Sequence, residues 1–86
     1  MEGTVYLAKI IVTLRRSILD PQGKAVHHAI SSLGMPSVRE VRIGKYVEMK
    51  IEDASPENAA KVTEDSCRKL LANPVMEDYT FSIEKI

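Results

Sequence analysis

The chain has one cysteine, no tryptophan, one phenylalanine and three tyrosines in 86 residues. Cys67 has no second cysteine to pair with, so the disulfide scaffold of many small secreted domains is excluded. Charge of one sign is also lacking. Basic and acidic residues number 12 each, and the formal net charge is zero. Nucleic-acid binders draw much of their affinity from neutralising phosphates and normally carry a basic excess. No apolar run approaches the ~20 residues that cross a bilayer, and no basic amphipathic stretch points to a membrane surface. Met1-Glu2-Gly3-Thr4 lacks the charged and apolar regions of a signal peptide. The expectation is a cytoplasmic protein that binds neither nucleic acid nor membrane. The four glycines are dispersed and match no phosphate-binding pattern, and there is no G-x-S-x-G nucleophile elbow.

What is present reads as a single domain over residues 1–86. A domain of this size buries only roughly 60–65% of its unfolded surface, so its core is thin. Residues 5–14 alternate as a strand, with Tyr6, Ala8, Ile10, Val12 and Leu14 on a fully apolar face. The other face carries Val5, Leu7, Lys9, Ile11 and Thr13 and is half apolar. Asp20 fits a helix N-cap and Pro21 the first helical position. A helix over about 21–33 follows, with Val26, Ala29, Ile30 and Leu33 as its buried stripe and Ala25 beside it. Gly34 suits the left-handed C-terminal position, and Pro36 prevents continuation. Residues 38–51 read as two strands turning at Gly44-Lys45. Ser55-Pro56-Glu57 starts a second helix reaching about residue 72, its buried side formed by Ala59, Val62, Ser66 and Leu70, with Cys67 and Leu71 flanking. Asn73-Pro74 ends it. A last strand over about 79–86 aligns Tyr79, Phe81 and Ile83. The order β-α-β-β-α-β predicts an α+β, ferredoxin-like domain: a four-stranded antiparallel sheet with two helices on one face. That fold hosts many functions and does not settle the role.

Candidates for chemistry are few. His27 and His28 are adjacent and point about 100° apart on a helix, unlike the i, i+4 pairs that hold metals, so ordinary helix residues are expected. Cys67 lies on the buried side of the second helix with no partner to lower its pKa, as expected of core filler. Glu52-Asp53 and Glu77-Asp78 are adjacent carboxylates at strand ends or turns. Two stretches stand out more. Arg39, Glu40, Arg42, Lys45, Glu48 and Lys50 alternate in charge, as in a solvated face with cross-strand pairs or in a surface that sets partner choice. Leu19-Asp20-Pro21-Gln22-Gly23 is at least a good helix start.

Those stretches carry a resemblance. Leu19-Asp20-Pro21-Gln22-Gly23, then Val41-Arg42-Ile43-Gly44-Lys45-Tyr46 with Glu48, then Lys69-Leu70-Leu71-Ala72-Asn73-Pro74-Val75-Met76-Glu77-Asp78-Tyr79 resemble the PurS family, the small subunit of phosphoribosylformylglycinamidine synthase. The likeness runs from about Tyr6 to the end of the chain, with Met1-Glu2-Gly3-Thr4 as a short extension. It implies a non-catalytic subunit of an enzyme of de novo purine synthesis that uses ATP, Mg²⁺ and glutamine as a complex, with no cofactor bound by this chain. The implied partners are the glutaminase subunit, which releases ammonia, and the large synthase subunit, which activates the amide with ATP. The small subunit would bridge the two and support ammonia transfer.

Asp20, Pro21, Gln22, Gly23, Arg42, Lys45 and Glu48 are the expected partner-contact residues, and no catalytic or metal residue is expected. The resemblance also implies pairing of small subunits. The sequence has its own reason for pairing, because Val5, Leu7, Ile11 and Tyr46 form an apolar patch on the sheet face away from the helices. A homodimer packed through sheet faces or an exchanged hairpin is the expectation. Two alternatives compete. One is a stand-alone small-molecule-sensing regulatory domain of the same topology. The other is a single-strand RNA binder, which needs aromatic residues on the open sheet face, whereas Tyr6 falls on the helix-packed face.

Overall fold

Apolar alternation, two proline-started helices and one left-handed glycine determine the element order. The computed structural model describes residues 3–86. Of the expected extension, Met1 and Glu2 lie outside the described residues. Strand β1 (Thr4–Leu14) leads to helix α1 (Pro21–Ser32) and strand β2 (Gly44–Asp53). Helix α2 (Pro56–Ser66) runs on through a π-helical turn, Cys67–Leu71, and strand β3 (Glu77–Lys85) closes the chain. The described strands make one antiparallel sheet in the order β2-β1-β3.

Both helix starts form as expected. Asp20 and Ser55 accept from the backbone N–H of Gly23 and Asn58, with prolines at the first helical turn. Gly34 has φ +86°, the left-handed value that ends a helix without a Cβ penalty. In β1, Ala8, Ile10 and Val12 are fully buried and Tyr6 nearly so. Their neighbours in register, Ile51, Met49 and Val47 on one side and Ile83, Phe81 and Tyr79 on the other, point the same way. Together with Cys67, Leu71 and Ala72 they form the core.

Three expectations are corrected. The first is the fourth strand. Residues 38–43 form no strand, and the expected hairpin at Gly44-Lys45 is absent, because Gly44 already pairs with Thr13 as the first residue of β2. The backbone groups of the missing strand are used elsewhere: the Ile43 N–H donates to Asp20 at 2.7 Å, and the Val38 carbonyl lies 2.7 Å from His27 Nε2.

The second correction concerns the layer of two helices. Among the described residues, α2 and the turn that follows it pack on the sheet, and α1 has no comparable contact with it. Helix α1 and the returning segment project beyond the strand ends as an arm, residues 15–43. Val26 is 39% and Leu33 74% exposed, so the expected stripe of α1 is largely uncovered. The Cα radius of gyration is 17.0 Å, against roughly 12 Å for a compact chain of this length, and the longest dimension is 58 Å.

The third correction is the buried side of α2. It runs Ala59, Thr63, Cys67, whereas Val62 and Leu70 face solvent. Small and β-branched side chains let the helix approach the sheet closely, and the Thr63 hydroxyl is satisfied by the Ala59 carbonyl at 2.9 Å. After Ser66 the helix widens by one residue per turn, with the Ala72 N–H reaching the Cys67 carbonyl at 3.0 Å, a π-type bond. Cys67 is fully buried, as expected. Burial, and secondarily the nearby Glu64 carboxylate, push its thiol pKa up, which keeps it in the unreactive protonated form.

Candidate partner interface

The root of the arm gathers most of the residues singled out from the sequence. The chain leaves β1 at Leu14, turns through residues 15–20 and must start α1 at Pro21. Asp20 is 5% exposed, and its two carboxylate oxygens serve two elements. Oδ1 accepts from the Gly23 N–H at 2.9 Å and Oδ2 from the Ile43 N–H at 2.7 Å. One side chain thus caps α1 and fixes the entrance to β2. These two N–H donors, Gly23 first, hold the Asp20 carboxyl below the usual carboxylate range, helped by the Arg42 guanidinium.

Gly23 is buried opposite the return segment. A Cβ built there would lie 2.2 Å from the Val41 carbonyl oxygen, so α1 and residue 41 approach as closely as only glycine allows. Arg42 donates through Nη2 to the carbonyls of Arg15 and Ile18 at 2.9 and 3.1 Å. On the far side of the root, Arg15 donates its N–H to Met76 O and its Nη2 to Pro74 O, and it faces Asp78 at 3.6 Å.

The expected contact residues therefore divide. Asp20 and Gly23 are internal and act on the joint. Pro21, Gln22 and Lys45 are exposed, and Gln22 and Lys45 line a cleft of ≈ 270 Å³ with Asp20, Ile43 and Glu77. Arg42 is half-buried and occupied by carbonyls. Glu48 lies on the opposite sheet face, accepting from the Tyr46 hydroxyl at 2.8 Å. The alternating charges do not form one patch, because the segment that carries them bends from arm to strand at residue 43.

The expected dimer face is a real surface but a mixed one. Ile11 and Tyr46 are paired across β1 and β2 and are 52% and 55% exposed. Leu7 is on the same face, separated from them by Lys9, which pairs with Glu84 at 3.0 Å. Sequence reasoning missed a second exposed apolar surface, the largely uncovered stripe of α1, with Leu19 and Met35 exposed just before and after the helix. Its apolar spacing was visible, and only the burial assigned to it was wrong. His27, expected as an ordinary helix residue, holds the return segment through Val38. No group of three or more potential metal ligands occurs among the described residues, and no helix there is long and apolar enough to cross a membrane.

A family model, PurS: phosphoribosylformylglycinamidine (FGAM) synthase, matches residues 7–85. The chain belongs to the PurS family. It is 45% identical over 82 residues to phosphoribosylformylglycinamidine synthase subunit PurS of Bacillus subtilis, covering 95% of this chain and 96% of that one. Among solved structures it is similar to PurS of Methanocaldococcus jannaschii, described as one of the subunits of formylglycinamide ribonucleotide amidotransferase in the purine biosynthetic pathway. There the TM-score is 0.83 at 37% identity, over 94% of this chain and 98% of that chain. It is also similar to a chain in the structure of PurLQS from Thermotoga maritima, with TM-score 0.82 at 26% identity over 95% and 98%.

Proposed function

We propose that this chain is the non-catalytic small subunit of phosphoribosylformylglycinamidine synthase, bridging the glutaminase and synthase subunits and supporting ammonia transfer in de novo purine synthesis. The observation that carries this reading is the near full-length match to PurS subunits, including one within a PurLQS assembly. The physical form agrees with it. A 58 Å molecule with an arm whose helix leaves its apolar stripe in solvent is built for contact with other chains. Pro21, Gln22 and Lys45 at the arm root, with Arg42 and Glu48 beyond, are the proposed contact residues. Asp20 and Gly23 hold the geometry that presents them. ATP and Mg²⁺ are used by the complex, in the cytoplasm, and no step of their chemistry is assigned to this chain.

The same form supports a homodimer. The α1 stripe and the Ile11–Tyr46 spot are apolar surfaces of the single copy, and the outer edge of β2, where a fourth strand was expected, is unpaired among the described residues. A second copy can cover them. The ligand-sensing alternative has no observation in its favour.

The experiment compares glutamine-dependent with ammonia-dependent synthesis of formylglycinamidine ribonucleotide by the glutaminase and synthase subunits, with and without this protein. Glutamine-dependent activity that requires the protein, alongside ammonia-dependent activity that does not, supports the bridge. Unchanged glutamine-dependent activity at saturating protein rejects it.

A further inference from the structure

The arm and the sheet are held by different kinds of interaction. Among the described residues the buried apolar ones are Tyr6, Ala8, Ile10, Val12, Ala59, Cys67 and Ala72, and none lies in residues 15–43. Within the arm only Asp20 and Gly23 are buried, a carboxylate and a residue without a side chain. Helix α1 has 12 residues, a length at which a helix without tertiary packing is marginal in water. Its order therefore rests on polar ties: Asp20 to Gly23 and Ile43, Arg42 to two carbonyls, His27 to Val38, and Arg16 to Glu40 at 3.3 Å. The Arg16–Glu40 pair is exposed and contributes little. Asp20 is the buried tie, and its two oxygens join the start of α1 to the entrance of β2.

From this we propose that residues 15–43 form a separate opening unit, latched by the Asp20 carboxylate, which releases while the three-stranded sheet stays folded. Cooperative units of this kind are drawn from regions with little buried apolar contact. Without the carboxylate, the buried N–H of Gly23 and the N–H of Ile43 lose their acceptor, and the arm loses the link that sets its direction. The sheet loses nothing, because its core is contributed by other segments. A partner that covers the α1 stripe binds the latched arm and stabilises it by mass action. The opening itself is a property of the single chain and does not depend on the identity of that partner.

Hydrogen–deuterium exchange with peptide resolution on the full chain tests this, comparing wild type, Asp20→Asn and Asp20→Ala at one concentration. In Asp20→Ala the peptides of residues 15–43 exchange faster by roughly 10- to 100-fold, the range for loss of hydrogen bonds to a charged group. Asp20→Asn, with one carbonyl oxygen left to accept, falls between. Peptides of β1, β2 and β3 keep the wild-type rate. Acceleration of arm and sheet together, including global unfolding of the variant, overturns the proposal. So does an arm whose exchange is unchanged. Wild type in increasing urea gives an independent reading: arm amides open with a weaker urea dependence than sheet amides, because less surface is exposed. Equal dependence in the two regions overturns the proposal as well.

Discussion

Gly23→Ala sets two effects of opposite sign against each other. Gly23 is the third residue of α1, and by intrinsic helix propensity alanine is better there by up to about 1 kcal/mol. The added Cβ, however, falls 2.2 Å from the Val41 carbonyl oxygen and 2.8 Å from Asp20 Oδ2. The first contact is backbone and cannot rotate away. Relief requires α1 and the return segment to separate, and that movement lengthens the bond from the Ile43 N–H to Asp20 and weakens the cap. Overpacking of this kind costs about 1–3 kcal/mol, and a lost N-cap about 1 kcal/mol. Clash and cap together outweigh the propensity gain, so the net expectation is a loss of about 1–3 kcal/mol. It is read as faster exchange of the arm amides, by roughly 5- to 100-fold at that energy, with the sheet amides unaffected. A variant whose arm is equally or better protected would refute the reasoning. It would mean that α1 and residue 41 are not in close approach, and that propensity alone decides.

Four further outcomes follow from the same structure. Asp20 has a folded-state pKa below its unfolded value, so its contribution is complete above the ordinary carboxylate pKa and is lost as pH falls through the lower folded value. The amide resonances of Gly23 and Ile43 should be constant from neutral pH to about pH 5 and shift only in acid below about pH 4, a change absent from Asp20→Asn. Ile10→Ala empties a fully buried site on the central strand and should cost about 2–5 kcal/mol in denaturant unfolding of the sheet. Thr63→Val removes a hydroxyl bonded only to its own helix and should change stability by less than about 1 kcal/mol. Ile11→Lys combined with Leu33→Lys charges both proposed pairing surfaces and should shift sedimentation toward monomer with an unchanged circular dichroism spectrum. Wild type that sediments only as monomer at working concentrations would reject the dimer.

Local rules were legible wherever a residue acts on its own neighbours. Asp20-Pro21 and Ser55-Pro56 start helices, Gly34 ends one, and the even-numbered residues of β1 face the core, because each of these depends on a few adjacent dihedrals. The failures are tertiary. Val41 and Ile43 alternate as a strand would, yet the Ile43 N–H serves Asp20 and the Val38 carbonyl faces His27, both outside any strand ladder. The stripe Val26, Ile30, Leu33 has the spacing of a buried face, and periodicity records that a helix wants a partner without saying whether its own sheet supplies one. In α2 the apolar positions Val62 and Leu70 were preferred over Thr63. The close approach of helix to sheet instead selected the line Ala59, Thr63, Cys67, whose hydroxyl is satisfied internally.

The candidate interface was legible as residues and not as geometry. The three blocks that carry the family resemblance are far apart in the sequence, and the structure brings all three to one joint. Asp20 of the first accepts from Ile43 of the second, and Gly23 of the first lies against Val41 of the second. Pro74, Met76 and Asp78 of the third are held by Arg15, whose own carbonyl accepts from Arg42 of the second. These blocks therefore build an orientation. The Asp20 carboxylate, accepting one backbone N–H on each oxygen, and Arg42, donating to two carbonyls, fix where a 12-residue helix points. For a subunit whose proposed work is to hold two larger subunits in register, the direction of that helix matters, and residues of all three blocks set it.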